Sequence, residues 1–174
     1  MESRSIVESL EEKVLELIER TDHLVALVSA DSLHWSPATV SASTPAINVG
    51  QLLGHLLDCV AGFCACFQSV FPQELRRFEG IRQLAVNHSC EPEQARQRIA
   101  AYTEQVVAGF ALCNDSHLAQ RIPTVFLPSG ETLLTLLLGN LEHLVNHKYQ
   151  LFMYLKIQGA AVSTRDLYRF RGEK

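Results

Sequence analysis

The sequence predicts an all-α fold, a four-helix bundle with one long crossover connection, and three observations carry that reading. Four stretches repeat apolar residues at intervals of three and four, the spacing that gives a helix one apolar face. No stretch alternates apolar and polar residues as a half-buried strand would. Capping residues and prolines mark where each helical stretch begins and ends.

The first helix opens on Ser5 with Glu8 three residues later, a capping box, and continues through Ile6, Leu10, Leu17, Ile18, Leu24 and Val25 to about Ala30. Asp31 to Ile47 carries Pro37, Pro45 and many Ser and Thr residues, so it reads as a long connection, the origin of the expected crossover. The second helix has Asn48 as N-cap, Gln51 at the third position and Ile47 placed to staple against Leu52. Leu53, Leu56, Val60, Phe63 and Phe67 continue it to Phe71 and Pro72.

A polar stretch then leads to Pro92, a residue suited to a first helical turn. The third helix follows with Ala95, Ile99, Tyr102, Val106 and Phe110, and Asn114, Asp115 and Ser116 end it. A second irregular stretch with Pro123, Pro128 and Gly130 precedes the fourth helix, Glu131 to Gln158. Lys156 suits its last turn, and Gly159 its C-terminal cap. No repeat is visible, and nothing divides residues 1–174 into more than one domain.

Hydrophobic residues make up 47% of the 174, enough for one well-buried core. A net charge of -4 with scattered Lys and Arg lacks the electrostatic footprint of a nucleic-acid binder. The opening MESRSIVESLEEKV is charged and amphipathic, unlike a secretory signal. No unbroken apolar run approaches membrane-spanning length, since the stretch around Leu133 to Leu138 stops at Gly139 and Asn140. Five cysteines without a disulfide-framework spacing fit a reducing cytoplasm.

Chemistry concentrates on three histidines. His143 and His147, in HLVNH, lie one helical turn apart and share a face, close enough to share a metal. With Asn140, Gln150 and Tyr154 they form a polar stripe along an otherwise apolar helix, which faces either solvent or something polar inside the bundle. His55, in QLLGHLLDC, is either a hydrogen-bonded core residue or a third ligand reached across the bundle. Asp58 and Cys59 read as a solvated carboxylate and a small core residue, with support of the site or a fourth ligand as the alternative.

Other constellations carry less. HLVNH lacks the glutamate of HExxH, and Glu142 is turned about 100° from His143, so a zincin is rejected. Cys64 and Cys66 diverge by about 200° on a helix and cannot chelate one ion together. Surface or loop roles suffice for His23, His34, His88 and His117.

Two segments, LHWSPATVSASTPAINVGQLLGHLLDC and LGNLEHLVNHKYQLFMYLKIQG, carry one His, a long gap, then H-x3-H-x2-Q. In this the chain resembles, over nearly its whole length, the DinB/YfiT-like superfamily of metal-dependent four-helix bundles, which includes thiol-dependent transferases and isomerases. The resemblance implies a divalent metal held by His55, His143 and His147, with Gln150 supporting the site, and a homodimer. It leaves the metal open, zinc or nickel ahead of iron or manganese. The stretch RIPTVFLPSGET is more apolar than the resemblance leads one to expect.

Three neutral imidazoles leave a dication its full charge, which favours an anionic further ligand. Metal-dependent transfer of a low-molecular-weight thiol to an electrophilic small molecule is therefore the first expectation. Hydrolysis by a metal-bound water is the second, set behind because no carboxylate is placed to handle its proton. A non-catalytic, stress-related binding or dimerisation bundle is the third.

Overall fold

The computed structural model describes residues 5–38, 46–124 and 127–169; Pro45 of the first connection lies outside them. Four long helices form the body: α1 (Ile6–Ala26), α2 (Val49–Val70), α4 (Pro92–Leu112) and α5 (Leu133–Ile157). Two short ones accompany them, α3 (Glu79–Arg82) and α6 (Thr164–Leu167).

Both predicted capping boxes form. Ser5 Oγ accepts the Glu8 N–H at 3.1 Å, and Asn48 Oδ1 accepts the Gln51 N–H at 2.8 Å, each reciprocated by the Glu or Gln side chain. At the other end of α5, Gly159 takes φ 85°, and its N–H and that of Ala160 return to the carbonyls of Lys156 and Leu155. That is a Schellman cap, which a glycine adopts without a Cβ penalty.

Helix directions follow from side-chain contacts. Arg96 reaches Asp22, and Asp115 reaches Val7, so α1 and α4 run antiparallel. Asn140 meets Cys66, and Tyr154 meets Ile47, so α2 and α5 also run antiparallel. The Cys90 N–H donates to the Gly50 carbonyl, which sets the start of α4 beside the start of α2 and makes those two helices parallel.

The crossover is therefore present, but it is residues 71–91, which travel the length of the bundle between parallel helices and bury Leu75 and Phe78 on the way. The connection expected to supply it has its two described ends together, where the Trp35 and Leu33 carbonyls accept the N–H groups of Val49 and Gly50. Proline content marked an irregular segment but carried no information on helix direction.

Two further expectations are corrected. A two-residue antiparallel ladder, β1 (Arg121–Ile122) with β2 (Glu131–Thr132), delays the last helix until Leu133, with Thr132 as N-cap. It is too short to show as alternation. Second, α2 is long and apolar enough to cross a membrane by length and composition alone. Here 67% of its apolar window is buried inside the fold, because α2 is the central helix, packed against α4 and α5.

Candidate metal centre

Leu52, Leu53, Leu56 and Leu57 are fully buried and fix the rotation of α2, leaving His55 half-buried on the side facing α5. On α5, Leu137, Leu144 and Leu151 are fully buried and set the adjacent face, with His143 and His147 half-buried, toward α2. The His55 Nε2 lies 3.1 Å from the Nε2 of His143 and 3.1 Å from the Nε2 of His147. The three rings meet at interplanar angles of 70°, 89° and 78°, so their tips converge while their faces diverge.

Two nitrogens bound tetrahedrally to one zinc at the usual bond length would lie about 3.3 Å apart. The two separations from His55 are close to that value, and the ligand atoms that lie within 4.8 Å of one another are those of His55, His143 and Cys59.

The outer nitrogen of His147 fixes its tautomer. Tyr154 Oη is 3.1 Å from the Ile47 carbonyl, which can only accept, so the hydroxyl proton goes there. Gln150 Nε2, 3.0 Å from the same hydroxyl, must then donate to it. This turns the Gln150 Oε1 toward His147 Nδ1 at 2.9 Å, so Nδ1 carries the proton and Nε2 keeps its lone pair for the cluster. Burial holds the His147 pKa below its ordinary value, the Gln150 bond opposes this, and His55 and His143 lower it further. A neutral imidazole is the ligating form.

Every member of the predicted polar stripe has a partner inside the fold. Asn140 Nδ2 lies 3.3 Å from Cys66 Sγ, and Gln150 and Tyr154 form the relay just described. Of the two supplementary candidates, Cys59 is fully buried, and its Sγ, one His55 nitrogen and one His143 nitrogen lie within 4.8 Å of one another. Burial, followed by the nearby Asp58 carboxylate, pushes this thiol up to about 12. Asp58 is half-buried and does not join that group.

The sequence reading missed Asn87, whose Oδ1 is 2.6 Å from His55 Nδ1. It comes from the polar stretch before Pro92, 32 residues along the chain, and the one available signal was an asparagine suited to a tight turn. Two of the remaining histidines have structural partners: His23 pairs with Asp166 at 2.8 Å, and His117 Nδ1 accepts the Asn114 N–H, whereas the buried His88 Nδ1 has no hydrogen-bond partner among the described residues.

No family model matches the chain, and no curated protein does. Among solved structures, it is similar to a DinB-like protein, YjoA, from Bacillus subtilis, with a TM-score of 0.65 and 19% identity over 95% of this chain and 99% of that one. The likeness covers nearly all of both chains, and the protein described here has the mostly helical fold of a DinB-like protein.

Proposed function

We propose that this chain is a divalent-metal protein that binds a small thiol at the His55, His143 and His147 cluster and transfers it to an electrophile. The observation that carries the reading is the convergence of three imidazole Nε2 atoms, with the outer nitrogens of His147 and His55 bonded to neutral amide side chains. A bound divalent ion would supply the Lewis acidity that keeps a thiol deprotonated near neutral pH.

The chain's own part is to hold three neutral donors and to add no negative charge, which leaves the ion's charge for an incoming anion. Hydrolysis has less support, because no described carboxylate joins the group of converging ligand atoms. Zinc and nickel suit an all-imidazole set, with iron or manganese behind them.

Cys59 favours a second reading. With its sulfur turned into the cluster it would close the coordination, and the metal would then serve stability rather than chemistry. Cobalt substitution separates the two readings: a thiolate charge-transfer band that disappears in Cys59→Ala marks the closed site.

Five free thiols, four of them buried, are in keeping with a reducing cytoplasm. For a homodimer, the face to consider is on α5, where Leu138, Val145 and Tyr149 are 49%, 38% and 52% exposed at helical spacing. The cysteine-rich α2 is unsuited, being mostly buried. A monomer by sedimentation removes the dimer.

The deciding experiment is metal content by mass spectrometry on protein purified without a histidine tag, followed by assay of a low-molecular-weight thiol with a chlorinated aromatic or an epoxide. The expected result is one divalent ion per chain, lost in His55→Ala and His147→Ala while helical content persists, and thiol consumption that falls to background in His147→Ala. No metal after incubation with zinc, nickel and manganese overturns the reading. Metal without thiol consumption or hydrolysis favours the non-catalytic bundle.

A further inference from the structure

We infer that Asn87 is a positioning residue of the metal centre, holding His55 in the tautomer that presents Nε2 to the cluster; the inference rests on the metal reading above. Its basis is a loop that closes over α2 beside the site. After α3 the chain returns so that the Asn87 N–H donates to the Gly54 carbonyl at 3.1 Å and the Cys90 N–H to the Gly50 carbonyl at 3.2 Å. From α4, the Arg98 guanidinium donates to the Ala85 carbonyl.

The approach to α2 is close. A Cβ at Gly54 would lie 1.6 Å from the His88 carbonyl oxygen, so the residue preceding His55 has no room for a side chain. Three backbone and side-chain anchors therefore fix this loop before Asn87's own side chain is considered.

Asn87 adopts φ 59°, the one left-handed backbone among the described non-glycine residues. Glycine would take that conformation at the least cost, although asparagine tolerates it better than most residues. What asparagine adds is the amide oxygen 2.6 Å from His55 Nδ1. A residue kept in a costly conformation with its side chain aimed at a ligand is the pattern expected where strain serves a site.

An acceptor at Nδ1 places the proton there and leaves the lone pair on Nε2, the atom that faces His143 and His147. Gln150 does the same for His147. Both acceptors are neutral amides, whereas a carboxylate in either place would make its imidazole a stronger donor and blunt the acidity of a bound ion. The two amides thus tune the centre toward holding an anion.

The test uses Asn87→Gly, which keeps the left-handed turn and removes the acceptor, beside Asn87→Asp, which keeps an acceptor and adds charge. Two readouts are needed: the His55 tautomer from nitrogen-15 shifts of the metal-free protein, and zinc affinity by competition with a chromophoric chelator. The unaltered chain should show the Nδ1–H form alone. Asn87→Gly should show a mixture of tautomers and bind zinc about 10–100-fold more weakly, with the metal-free melting temperature maintained, and Asn87→Asp should restore the affinity.

If the unaltered chain binds zinc and Asn87→Gly binds it as tightly with the same tautomer, this inference alone is overturned. If the unaltered chain binds no zinc, the metal reading falls and the inference falls with it.

Discussion

Tyr154 donates its hydroxyl to the Ile47 carbonyl at 3.1 Å, and through that bond the end of the first connection governs a histidine on the far helix. Ile47 lies just ahead of α2, and Tyr154 lies two turns beyond His147 on α5. Gln150 stands between them and can satisfy both neighbours in only one orientation of its amide. Trp35 packs edge-on against Tyr154 with ring centroids 5.3 Å apart, which restrains the phenol from its other side.

Tyr154→Phe removes the hydroxyl that orients this relay. Gln150 can then turn its NH2 group toward His147 Nδ1, which stabilises the tautomer with the proton on Nε2 and costs metal affinity. The expected fall in zinc affinity is about tenfold, the low end for an outer-shell partner, against a loss of about 1 kcal/mol in metal-free stability for one hydrogen bond. Competition titration and urea unfolding measure the two effects separately. Equal zinc affinity in both proteins would show that the relay does not set the tautomer.

Asp115 predicts an effect at the opposite end of the bundle. Its carboxylate accepts the N–H groups of Val7 at 3.1 Å and Ile6 at 3.4 Å, capping the first turn of α1 from a loop more than a hundred residues away. The negative charge also sits at the positive end of the α1 dipole. Asp115→Ala should cost about 1 kcal/mol and Asp115→Asn less, with metal binding untouched, as read from urea midpoints and a zinc titration. No loss in either variant would mean that the Ser5 capping box suffices by itself.

The bundle was legible because its evidence is local. Asn48 with Gln51, and Gly159, announce helix boundaries through bonds made within one turn, and Pro92 does so through its fixed φ and missing N–H. His143 and His147 were legible for the same reason, and their polar stripe carried on to Tyr154. What could not be read is set by contacts between distant segments. The direction of α4 relative to α2 depends on Cys90 meeting Gly50, and the support of His55 depends on a loop reaching it over 32 residues. Cys59 reads in the sequence as a small core residue with a fourth ligand as the alternative; it is fully buried, and its approach to two histidines depends on helix rotation.

Metal removal should lower stability by linkage, since an ion bound only by the folded chain adds RT ln(1 + [L]/Kd). Free zinc at a hundredfold excess over Kd contributes about 2.7 kcal/mol, or about 5–10 °C in melting temperature for a chain of this size. A chelator should reverse the shift, and His147→Ala should show no shift at any zinc concentration. A zinc effect that persists in His147→Ala would place the ion elsewhere.

The buried thiols predict an alkaline limit to stability. Burial pushes Cys59 and Cys64 up to about 12 and Cys66 and Cys90 up to about 11, whereas the unfolded chain releases the same protons near pH 9. Above that pH the unfolded state binds fewer protons than the folded state, so stability, fully present below about pH 8, falls as pH rises. A fully shielded thiol contributes on the order of 1 kcal/mol per pH unit, and Cys90 and Cys59 contribute less because they lie less deep and water screens them more than Cys64 and Cys66. Lys148 acts in the opposite sense, because burial pulls its ammonium down to about 8 and the unfolded chain keeps that proton longer, but it is one group against four. Urea midpoints of the metal-free protein at pH 7.5, 9 and 10 should therefore be flat at first and then drop. Cys64→Ala should lower the curve by its packing cost and flatten its alkaline limb. An unchanged limb in Cys64→Ala, or no drop in the unaltered chain by pH 10, would mean that water reaches these thiols in the folded state.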